Sequence, residues 1–177
     1  MSPSCTGQMI TLDHFPENKD KFIRLIAFLK EVLDICHDLA ITPVLNGSLA
    51  VFVYTGNQAM SVNDVDLSCS EAEFPKVMGV LEERGISYRL KEWHVLQILK
   101  DDLKIELDSM EYWYKDFAID YETLQIDDYQ VKMFGLKSLR ECYRRGMKDS
   151  AEKTDENERR KYAALKEKYE TLEKVKG

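Results

Sequence analysis

The sequence predicts an α+β domain in which a small mixed β-sheet is flanked by helices and followed by a C-terminal helical tail. Apolar residues recur at helical spacing near both ends of the chain, and short segments with alternating polar and apolar residues lie between them. This order of elements is typical of α+β proteins. A chain of 177 residues is about one domain long and can bury a core without metal or disulfide staples.

The first predicted helix covers residues 16–39, with Pro16 in its first turn and acidic residues near its N-terminal end. Further helices are predicted at 49–54, 70–84, 136–145 and 155–174, and strands at 42–46, 64–69, 86–90, 93–99 and 103–108. An Asp101-Asp102 pair separates the last two strands and suits a hairpin turn. Residues 110–134 are aromatic-rich and remain ambiguous.

The predicted organisation is a single domain with three parts. Residues 1–15 form an irregular lead-in, residues 16–134 form the α/β core, and residues 135–177 form helices that pack on that core. Within the last part, Tyr162, Leu165, Tyr169 and Leu172 recur three or four residues apart, which favours a packing helix over one with an active role.

Composition excludes several classes of protein. The chain has 32 acidic and 25 basic residues, a net charge of −7, so extended DNA binding is not expected. Its four cysteines are scattered without a CxxC pair, which favours reduced thiols over a zinc site or a disulfide framework. No long uncharged stretch and no signal-peptide pattern occur, so we expect a cytoplasmic protein without a membrane partner.

Asp64 and Asp66 are the first candidate functional residues. They alternate with Val65 and Leu67 on a predicted strand, so both carboxylates face the same way, about 6–7 Å apart. Two such carboxylates repel each other unless a cation lies between them, and Mg²⁺ commonly binds one or two carboxylates together with substrate phosphates. A solvated strand face is the alternative, and for an isolated D-x-D pair it is the more frequent one.

Gly47-Ser48 follows a predicted strand and opens a helix. A glycine there lets backbone approach a phosphate, the helix N-terminus favours an anion, and the Ser48 hydroxyl adds a donor. Many strand-to-helix turns use the same pair without binding phosphate.

The predicted strand 103–108 places Lys104, Glu106 and Asp108 on one face. If this strand lies beside the D-x-D strand, Glu106 or Asp108 supplies a third acid. Three carboxylates can hold two metal ions, which is the arrangement used for in-line phosphoryl displacement.

The Gly-Ser turn, the D-x-D strand and the later hydrophobic-acid-hydrophobic strand together resemble the nucleotidyltransferase superfamily with the polymerase-beta-like fold. Residues 45–107 carry the match, and residues 131–139 resemble the strand-then-helix entry of small stand-alone members. Some of those relatives are antibiotic nucleotidyltransferases, and others resemble abortive-infection toxins that act on RNA. The resemblance covers roughly residues 20–165.

The resemblance implies a role for each matched residue. Gly47 and Ser48 would hold a nucleoside triphosphate. Independently of the resemblance, Lys104 could contact phosphate from the same sheet face, and a solvated strand lysine is the alternative. Asp64 and Asp66 would bind Mg²⁺.

The third acid in this resemblance is best matched by Glu106, with Asp108 as the alternative. The three acids would be both the catalytic residues and the Mg²⁺ ligands. The implied activity is Mg²⁺-dependent transfer of a nucleoside monophosphate from a nucleoside triphosphate to a hydroxyl of a small molecule or RNA, with release of pyrophosphate. The alternative is an inactive nucleotidyltransferase fold that binds a nucleotide or a partner.

Three weaker candidates remain open. His94 is either a base or nucleobase contact or a half-buried strand residue. The aromatic run 112–114 either stacks on a substrate ring or packs as core or lid. The basic segment 137–148 either grips a triphosphate or RNA backbone, or is a solvated helix face paired with Glu141 and Asp149.

Overall fold

The structure, a computed structural model, describes residues 9–152 and 155–176. The strands are β1 (Met9–Thr11), β2 (Val44–Asn46), β3 (Val65–Cys69), β4 (Ser87–Lys91), β5 (Val95–Lys100), β6 (Leu103–Ser109), β7 (Tyr121–Ile126) and β8 (Tyr129–Phe134). The helices are α1 (Lys19–Asp38), α2 (Gly47–Thr55), α3 (Phe74–Glu83), α4 (Met110–Trp113), α5 (Leu136–Ala151) and α6 (Glu156–Glu173).

All eight strands belong to one mixed sheet, with the order β1-β7-β8-β2-β3-β6-β5-β4. The central strands β3 and β6 are parallel, and β2 and β5 run antiparallel to them on either side. Strand β8 is parallel to β2 and joins the second half of the sheet to the first. The predicted α+β class with a mixed sheet is therefore confirmed.

The central strands have one apolar face and one polar face. Val65, Leu67, Ile105 and Leu107 are completely buried in the hydrophobic core that also takes in the inner faces of α1 and α3. Because successive side chains of a strand point to opposite faces, the residues between them lie on the other side of the sheet. The core thus anchors the strands while their other face remains available for polar groups.

The structure adds strands that the sequence pattern did not predict. The ambiguous segment 110–134 contains the short helix α4 and the hairpin of β7 and β8. Residues 9–11 of the predicted irregular lead-in form β1, which pairs with β7; the rest of that lead-in up to residue 8, including Cys5, lies outside the described residues. The Asp101-Asp102 turn between β5 and β6 is confirmed.

Helices α5 and α6 pack against each other and against α2. Leu172 of α6 is completely buried, and the guanidinium of Arg140 on α5 donates to the carbonyl oxygens of Leu172 and Val175 at 2.7–3.1 Å. The tail is therefore docked on the body of the protein. The boundary between a core at 16–134 and a tail at 135–177 stays a prediction.

Among the described helices, none combines the length and the apolar character needed to cross a membrane.

Candidate active site

The parallel pairing of β3 and β6 brings the predicted acidic residues onto one face of the sheet. Asp66 lies opposite Glu106, and Ser68 lies opposite Asp108. Asp64 immediately precedes β3 and shares this face through Lys104, whose ammonium lies 3.4 Å from its carboxylate. The condition on which a third acid depended, that strand 103–108 lies beside the D-x-D strand, is therefore met.

Gly47 forms the turn from β2 into α2 and makes room for Asp66. Its φ of +69° lies in the left-handed region. A Cβ atom at this position would lie 2.1 Å from Oδ2 of Asp66. The glycine is therefore required both by the backbone turn and by the close approach of the Asp66 carboxylate, which lies directly against the start of α2.

The negative charges on this face act on one another. Burial raises the pKa of Asp66 well above its ordinary value, and the charges of Asp108, Asp64 and Glu106 raise it further. The positive charge of Lys168 on α6 acts in the opposite direction. Four carboxylates thus share one electrostatic environment around Asp66.

Lys104 lies between two of these acids. Its Nζ is 3.1 Å from Oε1 of Glu106 and 3.4 Å from Oδ2 of Asp64. Gln97 on β5 donates to the second carboxylate oxygen of Glu106 at 3.0 Å. Both oxygens of Glu106 are thus engaged by neighbouring side chains, and the lysine that the sequence assigned to phosphate binding is held by carboxylates in this structure.

Asp108 has a different environment. Burial raises its pKa to about 7, and the charge of Glu106 adds to the increase, although a hydrogen bond from Tyr114 opposes it. The Tyr114 hydroxyl donates to Oδ2 at 3.1 Å. The other oxygen, Oδ1, is buried without a hydrogen-bond partner among the described residues. Such an orphaned carboxylate oxygen is costly unless a ligand supplies the missing partner.

A cavity of about 770 Å³ opens beside these acids. Its walls include Asp66, Glu106 and Asp108 from the sheet, Trp93 and Trp113 from the segments beside it, and Lys161 from α6. Trp93 and Trp113 are about half exposed, at 51% and 47%. The cavity therefore combines an acidic floor with aromatic walls.

Helix α6 contributes residues that the sequence pattern did not single out. Lys168 donates a hydrogen bond of 2.9 Å to the hydroxyl of Ser48, in the first turn of α2. Lys161, Leu165 and Lys168 are spaced four and three residues apart, so they share one helix face. The sequence signal for these lysines was their position on the same helix face as Leu165 and Leu172.

The weaker candidates are engaged in packing. The His94 ring nitrogen Nδ1 lies 2.8 Å from Glu71, and its ring stacks on Tyr112 with 4.0 Å between centroids. The aromatic run 112–114 divides its roles, because Tyr112 meets His94, Trp113 lines the cavity and Tyr114 contacts Asp108.

The basic segment of α5 is largely neutralised by its neighbours. Arg144 and Arg145 both pair with Glu141, at 2.6 Å and 3.0 Å. Arg140 is turned toward the C-terminal carbonyls of α6. Of the two interpretations of this segment, the pairing with Glu141 is therefore observed.

The acidic face fits a divalent cation in its donor chemistry. Carboxylate oxygens are the ligands that Mg²⁺ prefers, and the orphaned Oδ1 of Asp108 and the mutual repulsion around Asp66 are features that a cation would relieve. Within the described ranges, no three or more His, Cys, Asp or Glu side chains are grouped closely enough to hold a metal ion. The face therefore offers carboxylates of the type that bind Mg²⁺, but in this structure they are too far apart to coordinate one ion together.

Solved structures with the same fold include two nucleotidyltransferase-like proteins. The lincosamide antibiotic adenylyltransferase LnuA, solved with lincomycin bound, superposes with a TM-score of 0.53 at 14% identity, covering 84% of this chain and 96% of its own. An antigenic nucleotidyltransferase-like protein from Paracoccidioides brasiliensis superposes with a TM-score of 0.56 at 14% identity, covering 90% of this chain and 78% of its own. No curated protein matches the sequence.

The sequence also matches a family model. Residues 28–157, nearly three quarters of the chain, match the model of aminoglycoside-2''-adenylyltransferase. This range includes the Gly-Ser turn, the D-x-D strand and both candidates for the third acid. The chain therefore belongs to the aminoglycoside-2''-adenylyltransferase family and is a nucleotidyltransferase enzyme.

Proposed function

We propose that this enzyme transfers the adenylyl group of ATP to a hydroxyl of a small antibiotic-like molecule, in a Mg²⁺-dependent reaction that releases pyrophosphate. The observation that carries the proposal is the acidic face of β3 and β6 directly beside the Gly47-Ser48 turn, with a cavity large enough for a small acceptor. The membership of the family supports the adenylyl donor.

In this proposal the triphosphate binds at the start of α2. The nine-residue helix begins at Gly47, so its free N–H groups and dipole favour an anion there. The hydroxyl of Ser48 adds a donor at the same place. The negative charge of the triphosphate and that of Asp66 would then lie side by side, which requires cations.

Asp64 and Asp66 would hold Mg²⁺. When bound, the ion would neutralise charge on the transferring phosphate and on the leaving pyrophosphate. Asp66 lies against Gly47, so it is the carboxylate nearest to the proposed triphosphate position. Asp64, half-buried beside Lys104, would complete the pair.

For the third acid we favour Asp108 over Glu106. Glu106 already accepts contacts from Lys104 and Gln97 on both of its oxygens. Asp108 keeps one oxygen without a partner among the described residues and has a pKa raised to about 7. A carboxylate with such a pKa suits a general base that accepts the proton of the acceptor hydroxyl near neutral pH. Glu106 would instead hold Lys104, and through it Asp64, in position.

The acceptor would occupy the cavity between Trp93 and Trp113. Exposed indole rings provide apolar faces on which a sugar or other ring can pack. LnuA binds the antibiotic lincomycin, which supports a small-molecule acceptor. An RNA acceptor is less favoured, because Arg144 and Arg145, which belong to the basic segment that would grip its backbone, are already paired with Glu141.

The proposal is tested by incubating the protein with ATP, Mg²⁺ and a panel of hydroxyl-bearing aminoglycosides and lincosamides. We expect pyrophosphate release together with a mass gain of one adenylyl group on at least one acceptor. The Asp64→Asn/Asp66→Asn variant serves as the control and should release none. Adenylylation of a short RNA in place of every small molecule would overturn the acceptor class, and transfer by the double variant would overturn the site.

A further inference from the structure

We infer that Lys168 of the C-terminal helix α6 binds the β- and γ-phosphates of the nucleotide, so that α6 completes the nucleotide site. The inference rests on the proposed function and extends it to an element outside the strands and turn that carry the sequence motif. Lys168 is 120 residues from its contact in the sequence, Ser48.

The first step is the position of the ammonium group. Nζ of Lys168 donates to Oγ of Ser48 at 2.9 Å, in the first turn of α2. The side chain is half-buried, and the Nζ also lies 5.8 Å from the centroid of the Tyr143 ring. An anion bound at the start of α2 would therefore lie next to this ammonium group.

The second step is the lack of a neutralising partner. Within residues 9–152 and 155–176, no carboxylate lies within ion-pair distance of Lys168. By contrast, Lys104 on the same side of the sheet is engaged by Asp64 and Glu106. The contacts of this half-buried lysine are a hydroxyl and a ring, so among the described residues no ion pair competes with a phosphate for its ammonium group.

The third step is the charge balance. The positive charge of Lys168 already acts on Asp66, where it opposes the effect of three other carboxylates. A triphosphate adds further negative charge beside Asp66. Because the Lys168 ammonium lies 2.9 Å from the Ser48 hydroxyl in this turn, it would offset the repulsion where the phosphates lie.

The fourth step is the rigidity of the helix. Leu172, one turn after Lys168, is completely buried, and its carbonyl accepts two hydrogen bonds from Arg140. Since α6 packs against both α2 and α5, the backbone that carries the lysine is held in place before the nucleotide arrives. Little conformational entropy then remains to be lost on binding.

The test compares neutral and charged replacements of Lys168. Lys168→Met removes the charge and the donor, Lys168→Gln keeps a donor for Ser48 without the charge, and Lys168→Arg keeps both. Lys166→Met is the matched control, because Lys166 is an exposed residue of the same helix that pairs with Glu170. Calorimetric titrations with ATP, inorganic tripolyphosphate and AMP, all in the presence of Mg²⁺, give the affinities.

We expect Lys168→Met and Lys168→Gln to bind ATP and tripolyphosphate about ten- to hundredfold more weakly, the loss typical of one charge-assisted hydrogen bond. AMP, which lacks the β- and γ-phosphates, should bind with unchanged affinity, and the arginine and Lys166→Met proteins should resemble the wild type. Circular dichroism melting of each protein establishes that the fold is retained.

Two results would overturn the inference without touching the proposed function: equal ATP affinity in the wild type and in both neutral variants, or an equal loss for ATP and AMP. Failure of the wild type to bind ATP at all would instead contradict the proposed function.

Discussion

Gly47 determines where one candidate metal ligand can lie. Its φ is positive, and any Cβ atom at this position would lie only 2.1 Å from Oδ2 of Asp66, so both features oppose a larger residue. Gly47→Ala should therefore destabilise the fold by about 1–2 kcal/mol from backbone strain alone and should displace Asp66, with loss of activity. Chemical denaturation and the pyrophosphate assay measure the two effects.

The control for that variant is Gly79→Ala. Gly79 lies within α3, and a Cβ there would meet nothing within 4 Å. This change should stabilise the protein by about 0.5–1 kcal/mol, because alanine is the better helix former. If both alanine variants behaved alike, the close approach of Asp66 to the turn would be contradicted.

Asp108 and Glu106 have different hydrogen-bond and ion-pair partners. We therefore expect the loss of each negative charge to change the rate of adenylyl transfer differently. Asp108→Asn should lower the rate of adenylyl transfer by about 10²–10⁴, the range for loss of a general base. Glu106→Gln should have a smaller effect, because the amide oxygen can still accept from Lys104. Steady-state rates of pyrophosphate release compare the two, and a larger loss for Glu106→Gln would assign the third acid to Glu106.

The residues of the candidate site were predictable where their arrangement depends on local spacing. Asp64 and Asp66 share a strand face by simple alternation, and Gly47-Ser48 follows a strand, so both motifs are visible in the sequence. Lys168 was not predictable, because its contact with Ser48 depends on how α6 docks. The sequence favoured Glu106 as the third acid, and the proposal of Asp108 in its place rests on the side-chain partners of each, which the sequence does not reveal.

At the level of elements, α6 is held in place by Arg140. Its guanidinium donates to the carbonyl oxygens of Leu172, in the last turn of the helix, and of Val175, just beyond it. Arg140→Ala should lower the free energy of unfolding by about 1.5–3 kcal/mol, the range for hydrogen bonds from a charged donor. Urea denaturation measures this loss.

Arg144→Ala is the matched control for that change. Arg144 lies one turn further along α5 and pairs with Glu141 on the surface, so its removal should leave the stability nearly unchanged. Equal free energies of unfolding for the two variants would show that the hydrogen bonds from Arg140 to the α6 carbonyls do not stabilise the fold.

The elements that escaped prediction depend on long-range pairing. β1 has three residues and gains its hydrogen bonds from β7, more than 100 positions away, so no local pattern marks it. The hairpin of β7 and β8 does carry alternation and an Asp127-Asp128 turn like that of Asp101-Asp102. The aromatic residues that precede the hairpin made this alternation of polar and apolar residues hard to recognise in the sequence.

The whole molecule concentrates part of its negative charge on one side of the sheet. Of the 32 acidic residues, Asp64, Asp66, Glu106 and Asp108 meet on the face of β3 and β6, although 40 positions separate Asp66 from Glu106 in the sequence. Helix α6 returns from the C-terminal end to place Lys161 and Lys168 beside them. In the proposed site, the sheet, the α2 turn and α6 would therefore all contribute residues.

The most direct test of this arrangement is a calorimetric titration of the protein with ATP in the presence and absence of Mg²⁺. The wild type should bind ATP more tightly with Mg²⁺ than without it, and Asp64→Asn/Asp66→Asn should lose that Mg²⁺-dependent gain while keeping its fold. Equal Mg²⁺-dependent binding by the wild type and the double variant would contradict the assignment of the acidic face as the catalytic centre.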